Sequence, residues 1–128
     1  MKEYLKNDDL NYMPIIETTI RNPVNGKATK MELIIDTGFQ GGVLIPLSAY
    51  VKLELYLLEE PKAIAKTALG HRIELRTSKV LVEINNSQIL CSAYTTLGVR
   101  KSLLGREVLK KVGLLYRPPN ILKLGENH

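Results

Sequence analysis

The stretch Leu33-Ile34-Ile35-Asp36-Thr37-Gly38-Phe39 drives a run of β-forming residues straight into a carboxylate. A strand that is to be buried does not usually end on an unpaired Asp, because burying a charge without partners is expensive. Thr37 puts a hydroxyl beside the carboxylate. Gly38 removes the side chain that would keep backbone N–H groups from closing around it. The expectation is a held, partly desolvated carboxylate at a strand end. Such an environment shifts a pKa and marks a candidate functional site.

Upstream, residues 15–20 are rich in β-branched side chains, and 14–21 reads as a strand. Asn25-Gly26 is a strong hairpin signal, and the chain returns over 28–36. Gly41-Gly42 reads as a turn before a short buried strand, Val43-Leu44-Ile45, stopped by Pro46. Ser48 is the expected N-cap of a helical piece over 49–53. Pro61 is read as a break. Residues 64–76 form a hairpin bending near Leu69-Gly70-His71, and 79–84 is a separate alternating strand. Asn85-Asn86-Ser87 turns the chain into a strand over 89–96. A short apolar piece at 102–105 precedes a helix over 106–112, ended by Gly113. Pro118-Pro119 cannot donate to a ladder, so 120–124 is expected to be an edge or partner-facing strand. Residues 33–38 and 102–106 echo each other weakly, each an apolar run ending at glycine. Many short strands, frequent turns and two short helices imply a mostly β barrel or sandwich.

The 128 residues fit one domain, and 45% hydrophobic content allows a sizeable core. Residues 1–13 read as a flexible arm, 14–124 as the domain and 125–128 as a tail. The net charge of +5 is spread along the chain, which suits a solvated surface better than a nucleic-acid footprint. The Arg100-Lys101 and Lys110-Lys111 pairs likewise read as surface. No apolar run approaches a membrane span, and no signal segment opens the chain, so a cytoplasmic location without membrane contact is expected. Cys91 is the only cysteine and cannot form an internal disulfide. It reads as a small buried hydrophobe. Cys91, His71 and His128 lack metal-ligand spacing, and no metal or cofactor is expected.

Three motifs in order resemble the retroviral-type aspartic proteases, most closely their small stand-alone microbial relatives. They are Ile34-Ile35-Asp36-Thr37-Gly38, the glycine-tipped hairpin Thr67-Ala68-Leu69-Gly70, and Leu103-Leu104-Gly105-Arg106 before a short helix. The resemblance spans residues 14–124. It implies a closed, barrel-like acid protease fold with a flap hairpin and one or two short helices. It implies catalysis by Asp36, supported by Thr37 and Gly38. Phe39, Gln40, Leu69, Gly70 and His71 would contact substrate, Val43 and Ile45 would join Phe39 in lining side-chain pockets, and Leu104, Gly105 and Arg106 would form the structural motif. Gln40 departs from the retroviral pattern, in which a carboxylate pairs with the Arg after the later glycine. Arg106 would then hydrogen-bond an amide.

Peptide hydrolysis by carboxylates needs two of them sharing a proton. The chain has three aspartates, Asp8, Asp9 and Asp36, and one Asp-Thr-Gly. On the protease reading the second carboxylate is Asp36 of another copy, so the expected assembly is a homodimer whose terminal segments join a shared sheet. The expected function is an aspartic endopeptidase acting on peptide or protein substrates at acidic to neutral pH. The alternative is a weakly active or non-catalytic peptide-binding or oligomerisation module of the same fold. A strand-end Asp that merely caps a turn is the bland reading of Asp36. A basic nucleic-acid-binding barrel is the weakest alternative.

Overall fold

The computed structural model describes residues 2–3, 6–7, 12–66, 70, 72–117 and 121–124. In chain order the strands are β1 (Lys2–Glu3), β2 (Lys6–Asn7), β3 (Tyr12–Met13), β4 (Ile15–Arg21), β5 (Ala28–Ile35) and β6 (Val43–Leu44). Helix α1 (Leu47–Lys52) and a 3₁₀ turn (Leu55–Leu58) follow, then β7 (Glu60–Lys66), β8 (Arg72–Ile84) and β9 (Ser87–Thr95). The chain finishes with β10 (Leu103–Leu104), α2 (Arg106–Val112), β11 (Leu114–Arg117) and β12 (Ile121–Leu124).

Six strands close on themselves in the order β4-β5-β10-β6-β9-β8, with β8 returning to β4 and β7 added outside β8. The closed barrel leaves β7 as the exposed edge of this sheet, which bears on Pro61. The expected break there is instead a bulge between Glu60 and Ala63, with Pro61 inside β7. An edge strand can lack one N–H, and a bulge absorbs the lost ladder bond. β8 is likewise one strand of 13 residues, not two. It pairs with β7, then with β9, and its last residues with β4.

Alternation along the strands makes the core. Ile16 and Ile20 of β4, Leu33 and Ile35 of β5, Val80, Val82 and Ile84 of β8, and Ile89, Cys91 and Ala93 of β9 all face inward and are buried. Val43, Ile45, Tyr50, Leu53, Leu55, Leu104, Val108 and Leu109 complete it. Burying one such aliphatic side chain fully contributes about 1.5–3 kcal/mol. The expectation that Val43 and Ile45 line pockets is therefore corrected: both are fully enclosed in the core.

Local details follow from residue chemistry. The Asn25-Gly26 hairpin is wider than a two-residue turn because Asn22 organises it. The buried Asn22 carboxamide accepts from the Val24 and Asn25 N–H groups at 2.8 and 3.2 Å and donates to Leu53 O at 2.9 Å. Asn85 and Asn86 both take positive φ, as a tight primed turn requires. Ser48 does not cap α1. Pro46, at φ −60° and ψ 149°, occupies the cap position and its carbonyl accepts from Ala49 and Tyr50 N–H, each at 3.1 Å. Tyr50 OH donates to Glu59 at 3.3 Å, Arg76 pairs with the same carboxylate, and the Arg76 guanidinium lies 5.4 Å from the centroid of the Tyr50 ring. This cluster ties α1 to the root of the β7–β8 hairpin. Burial first, then the Glu59 charge, pushes the Tyr50 hydroxyl pKa well up, so it remains a donor.

β12 is not an edge strand. It lies between β1 and β11 in a small antiparallel sheet. Its described residues, Ile121–Leu124, pair with Leu114–Arg117 of β11 on one side and with β1 on the other; Pro118 and Pro119 lie outside the described residues. Among the described residues no helix is long and apolar enough to cross a membrane.

Candidate active site

The turn that carries Asp36 is built at a crossing of two loops. β10 runs parallel to β5, with Leu103 opposite Ile34 and Leu104 opposite Ile35, and antiparallel to β6. β6 in turn runs parallel to β9. The Asp36 N–H donates to Leu104 O at 2.9 Å, which fixes the end of β5 against β10. The Gly38 N–H donates to Asp36 Oδ1 at 2.9 Å. A Cβ on Gly38 would stand 3.2 Å from that oxygen, tighter than ordinary contact. Asp36 is half-buried, whereas Thr37, Gly38 and Gln40 are exposed.

The carbonyls of this turn serve α2. Phe39 O accepts from Arg106 N–H at 2.8 Å, Gly41 O from Glu107 N–H at 3.2 Å, and Gly42 O from Gly105 N–H at 2.8 Å. They satisfy donors that a capping side chain would otherwise take. Gly105 sits so close to the turn that an added Cβ would lie 2.7 Å from Phe39 O. Phe39 packs edge-on against Tyr94, with ring centroids 5.8 Å apart. The expected Arg106–Gln40 hydrogen bond is absent. Both side chains are exposed, and Arg106 engages the turn through its backbone N–H alone.

Leu103 and Leu44 face each other across β10 and β6, as do Leu104 and Val43. Because neighbouring residues on a strand point to opposite faces, Leu104 and Val43 enter the core while Leu103 and Leu44 face outward. There, with Ile34, Ile35, Asp36, Val99, Arg100 and Lys101, they line a cleft of about 430 Å³. The contributions of Val99, Arg100 and Lys101 escape the motif reading, which took the two cations as surface. The signal that finds them is a better alignment of the internal echo. Residues 28–52 and 87–112 repeat one pattern: long strand, glycine turn, two-residue strand, helix. Thr96-Leu97-Gly98 stands where Asp36-Thr37-Gly38 stands, and the second turn therefore borders the same cleft.

Gly70 is exposed at φ +85°, in the connection between the paired ends Lys66 and Arg72 of the β7–β8 hairpin. Leu69 and His71 lie outside the described residues, as do Asp8, Asp9 and His128. Cys91 is buried, and burial chiefly pushes its thiol up to about 12, so a thiolate nucleophile is not available there. Among the described residues no group of three or more His, Cys, Asp or Glu gathers as a metal site.

A closed six-stranded barrel with crossed loops at an Asp-Thr-Gly turn is the fold of the retropepsin-like aspartic proteases. No protein-family model matches the sequence, and no curated protein does. Among solved structures, the EIAV protease in complex with the inhibitor HBY-793 matches with a TM-score of 0.59 at 16% identity, covering 83% of this chain and 93% of that one. A retropepsin-like aspartic protease from Rickettsia conorii matches with a TM-score of 0.51 at 17% identity, covering 95% of this chain and 94% of that one.

Proposed function

We propose that the protein is an aspartic endopeptidase whose catalytic pair is Asp36 from each of two identical copies. The observation that carries this reading is the turn itself, where a half-buried carboxylate accepts from Gly38 N–H beside an open, apolar-walled cleft within a retropepsin-like fold. One such turn per chain supplies one carboxylate, so the chemistry calls for two chains. With the carboxyls adjacent, like-charge repulsion keeps one protonated. The ionised one takes a proton from water as the water oxygen attacks the scissile carbonyl carbon. The protonated one gives its proton to the carbonyl oxygen, forming a gem-diol. Proton transfer to the amide nitrogen then breaks the C–N bond and releases an acid and an amine.

Gly38 holds the carboxylate and Thr37, exposed in the single chain, would bond across the pair. The β7–β8 hairpin, whose connection carries Gly70 and in sequence also Leu69 and His71, would close over an extended peptide bound by strand-like main-chain hydrogen bonds. Phe39, Leu104, Gly105 and Arg106 brace the crossing. Gln40, exposed on the same turn, is a candidate substrate contact. The β1–β12–β11 sheet is a candidate for joining the two copies.

The test is cleavage of casein across pH 3–7 by wild type and Asp36→Asn, with mass measured by light scattering. Dimeric wild type that cleaves, beside a dimeric Asp36→Asn that does not, is the expected result. A monomer at every working concentration, or cleavage that survives in Asp36→Asn, overturns it. A dimer without cleavage supports the peptide-binding module.

A further inference from the structure

The cleft beside Asp36 is apolar in its walls and cationic at its rim. Ile34, Leu44, Val99 and Leu103 form the walls, the Asp36 carboxylate lies at one end, and Arg100 and Lys101 are both exposed at the edge. Among the described residues some basic side chains around the barrel are partnered and others, such as Lys30, Lys52, Arg106 and Lys110, are not; Arg100 and Lys101 are the unpartnered two that border the cleft. Arg21 pairs with Glu83, Lys27 with Glu54, Arg76 with Glu59, and Lys79 with Glu60, while Lys111 donates to Leu90 O. Among the described residues neither Arg100 nor Lys101 has an ion pair or side-chain hydrogen bond. Two unsatisfied cations beside an apolar slot complement a ligand with an apolar stem and an anionic end.

We propose that this cleft selects a glutamate side chain next to the scissile bond of an extended peptide. The glutamate methylenes lie against Leu44, Val99 and Leu103, and its carboxylate reaches Arg100 and Lys101. Aspartate is one methylene shorter and covers less of the apolar wall, so it is expected to bind more weakly than glutamate. Glutamine fills the slot but leaves the cations without a charge partner. The inference rests on the peptidase reading only in taking the ligand to be an extended peptide.

The experiment uses the full-length Asp36→Asn chain, so that binding is read without cleavage. Fluorescein-labelled decapeptides differ only in carrying Glu, Gln, Asp, Leu or Lys on either side of the central bond, and affinity is read by anisotropy at pH 6. The Glu peptide is expected to bind about tenfold more tightly than the Gln peptide at low salt, the scale of a charge-assisted contact. The preference shrinks at high salt as charges are screened. It also collapses at pH 3.5, where glutamate, with a pKa of about 4.3, is mostly protonated. Arg100→Glu/Lys101→Glu is expected to invert the order in favour of Lys. Both side chains are exposed, and Arg100→Gln/Lys101→Gln provides a milder variant that should abolish the preference without inverting it. Equal affinity for Glu and Gln peptides, no binding by any peptide, or a preference that persists in both double variants overturns the proposal. Parallel cleavage by wild type reads the peptidase reading separately. Selective binding without cleavage removes the enzyme and keeps the pocket; cleavage of Glu and Gln peptides alike keeps the enzyme and removes the pocket preference.

Discussion

The turns 36–42 and 96–102 share a backbone plan and differ in what they carry. Each follows a long strand and feeds a two-residue strand and then a short helix. The first holds a carboxylate with a backbone donor at 2.9 Å; the second has Thr96 and Leu97 at the matching places. Even the glycines serve different ends. Gly38 lets the chain approach Asp36 Oδ1, whereas Gly98 takes φ +90° with nothing within 4 Å of where a Cβ would be. The frame is thus duplicated and the chemistry is not. One half specialises in the proposed reaction, and the other supplies a wall and two cations.

That contrast can be broken most decisively at its centre. Asp36→Asn should lower cleavage by about a thousandfold or more, the scale of losing an acid–base group, while Thr96→Val changes kcat/KM by less than about threefold. Comparable losses at both positions would mean that the duplicated turns act together. Next in size is the pair Leu104 and Leu44, matched by the repeat but facing opposite sides. Leu104→Ala should cost about 2–5 kcal/mol in urea unfolding, as a core truncation does. Leu44→Ala should cost less than half of that and act chiefly on KM for peptides. The glycines come third. Gly98→Ala should cost about 1 kcal/mol in stability through its left-handed backbone, with peptide turnover little changed. Gly38→Ala should spare stability and reduce turnover instead. Smallest is Thr95, which stands where Ile35 stands in the first half. Its buried hydroxyl has no hydrogen-bond partner among the described residues. Thr95→Val should raise stability by about 1 kcal/mol, read as a higher urea midpoint; a loss would reveal a hidden polar role for that hydroxyl.

The long strands were legible because alternation and β-branched residues state them locally. Asp36, Gly38 and Gly105 were legible because loops that approach so closely accept few alternatives to glycine beside a carboxylate. The crossed loops were harder. β6 and β10 are two residues each, too short for periodicity, and exist as strands only because distant segments pair with them. The same is true of Arg100 and Lys101, whose place at the cleft depends on that crossing and not on their neighbours in sequence. Asn22 was hidden by the louder Asn25-Gly26 beside it, since a buried carboxamide that organises a loop looks in sequence like any turn residue. Pro61 and Pro118-Pro119 misled for a single reason: a proline forbids one donor, and whether that donor was needed is decided by which strand lies alongside.

The Asp36 N–H to Leu104 O bond has a kinetic consequence. It joins positions more than sixty residues apart, and barrel closure brings together Arg21 and Glu83, 62 residues apart. Such distant pairings are slow to form, because loop-closure entropy is spent before the contact returns anything. The local hairpins can assemble early, but the carboxylate's seat is complete only when β10 arrives. The seat of Asp36 is therefore incomplete until residues 103–104 have been added and paired with β5, and on the proposed reading the site then still awaits a second copy.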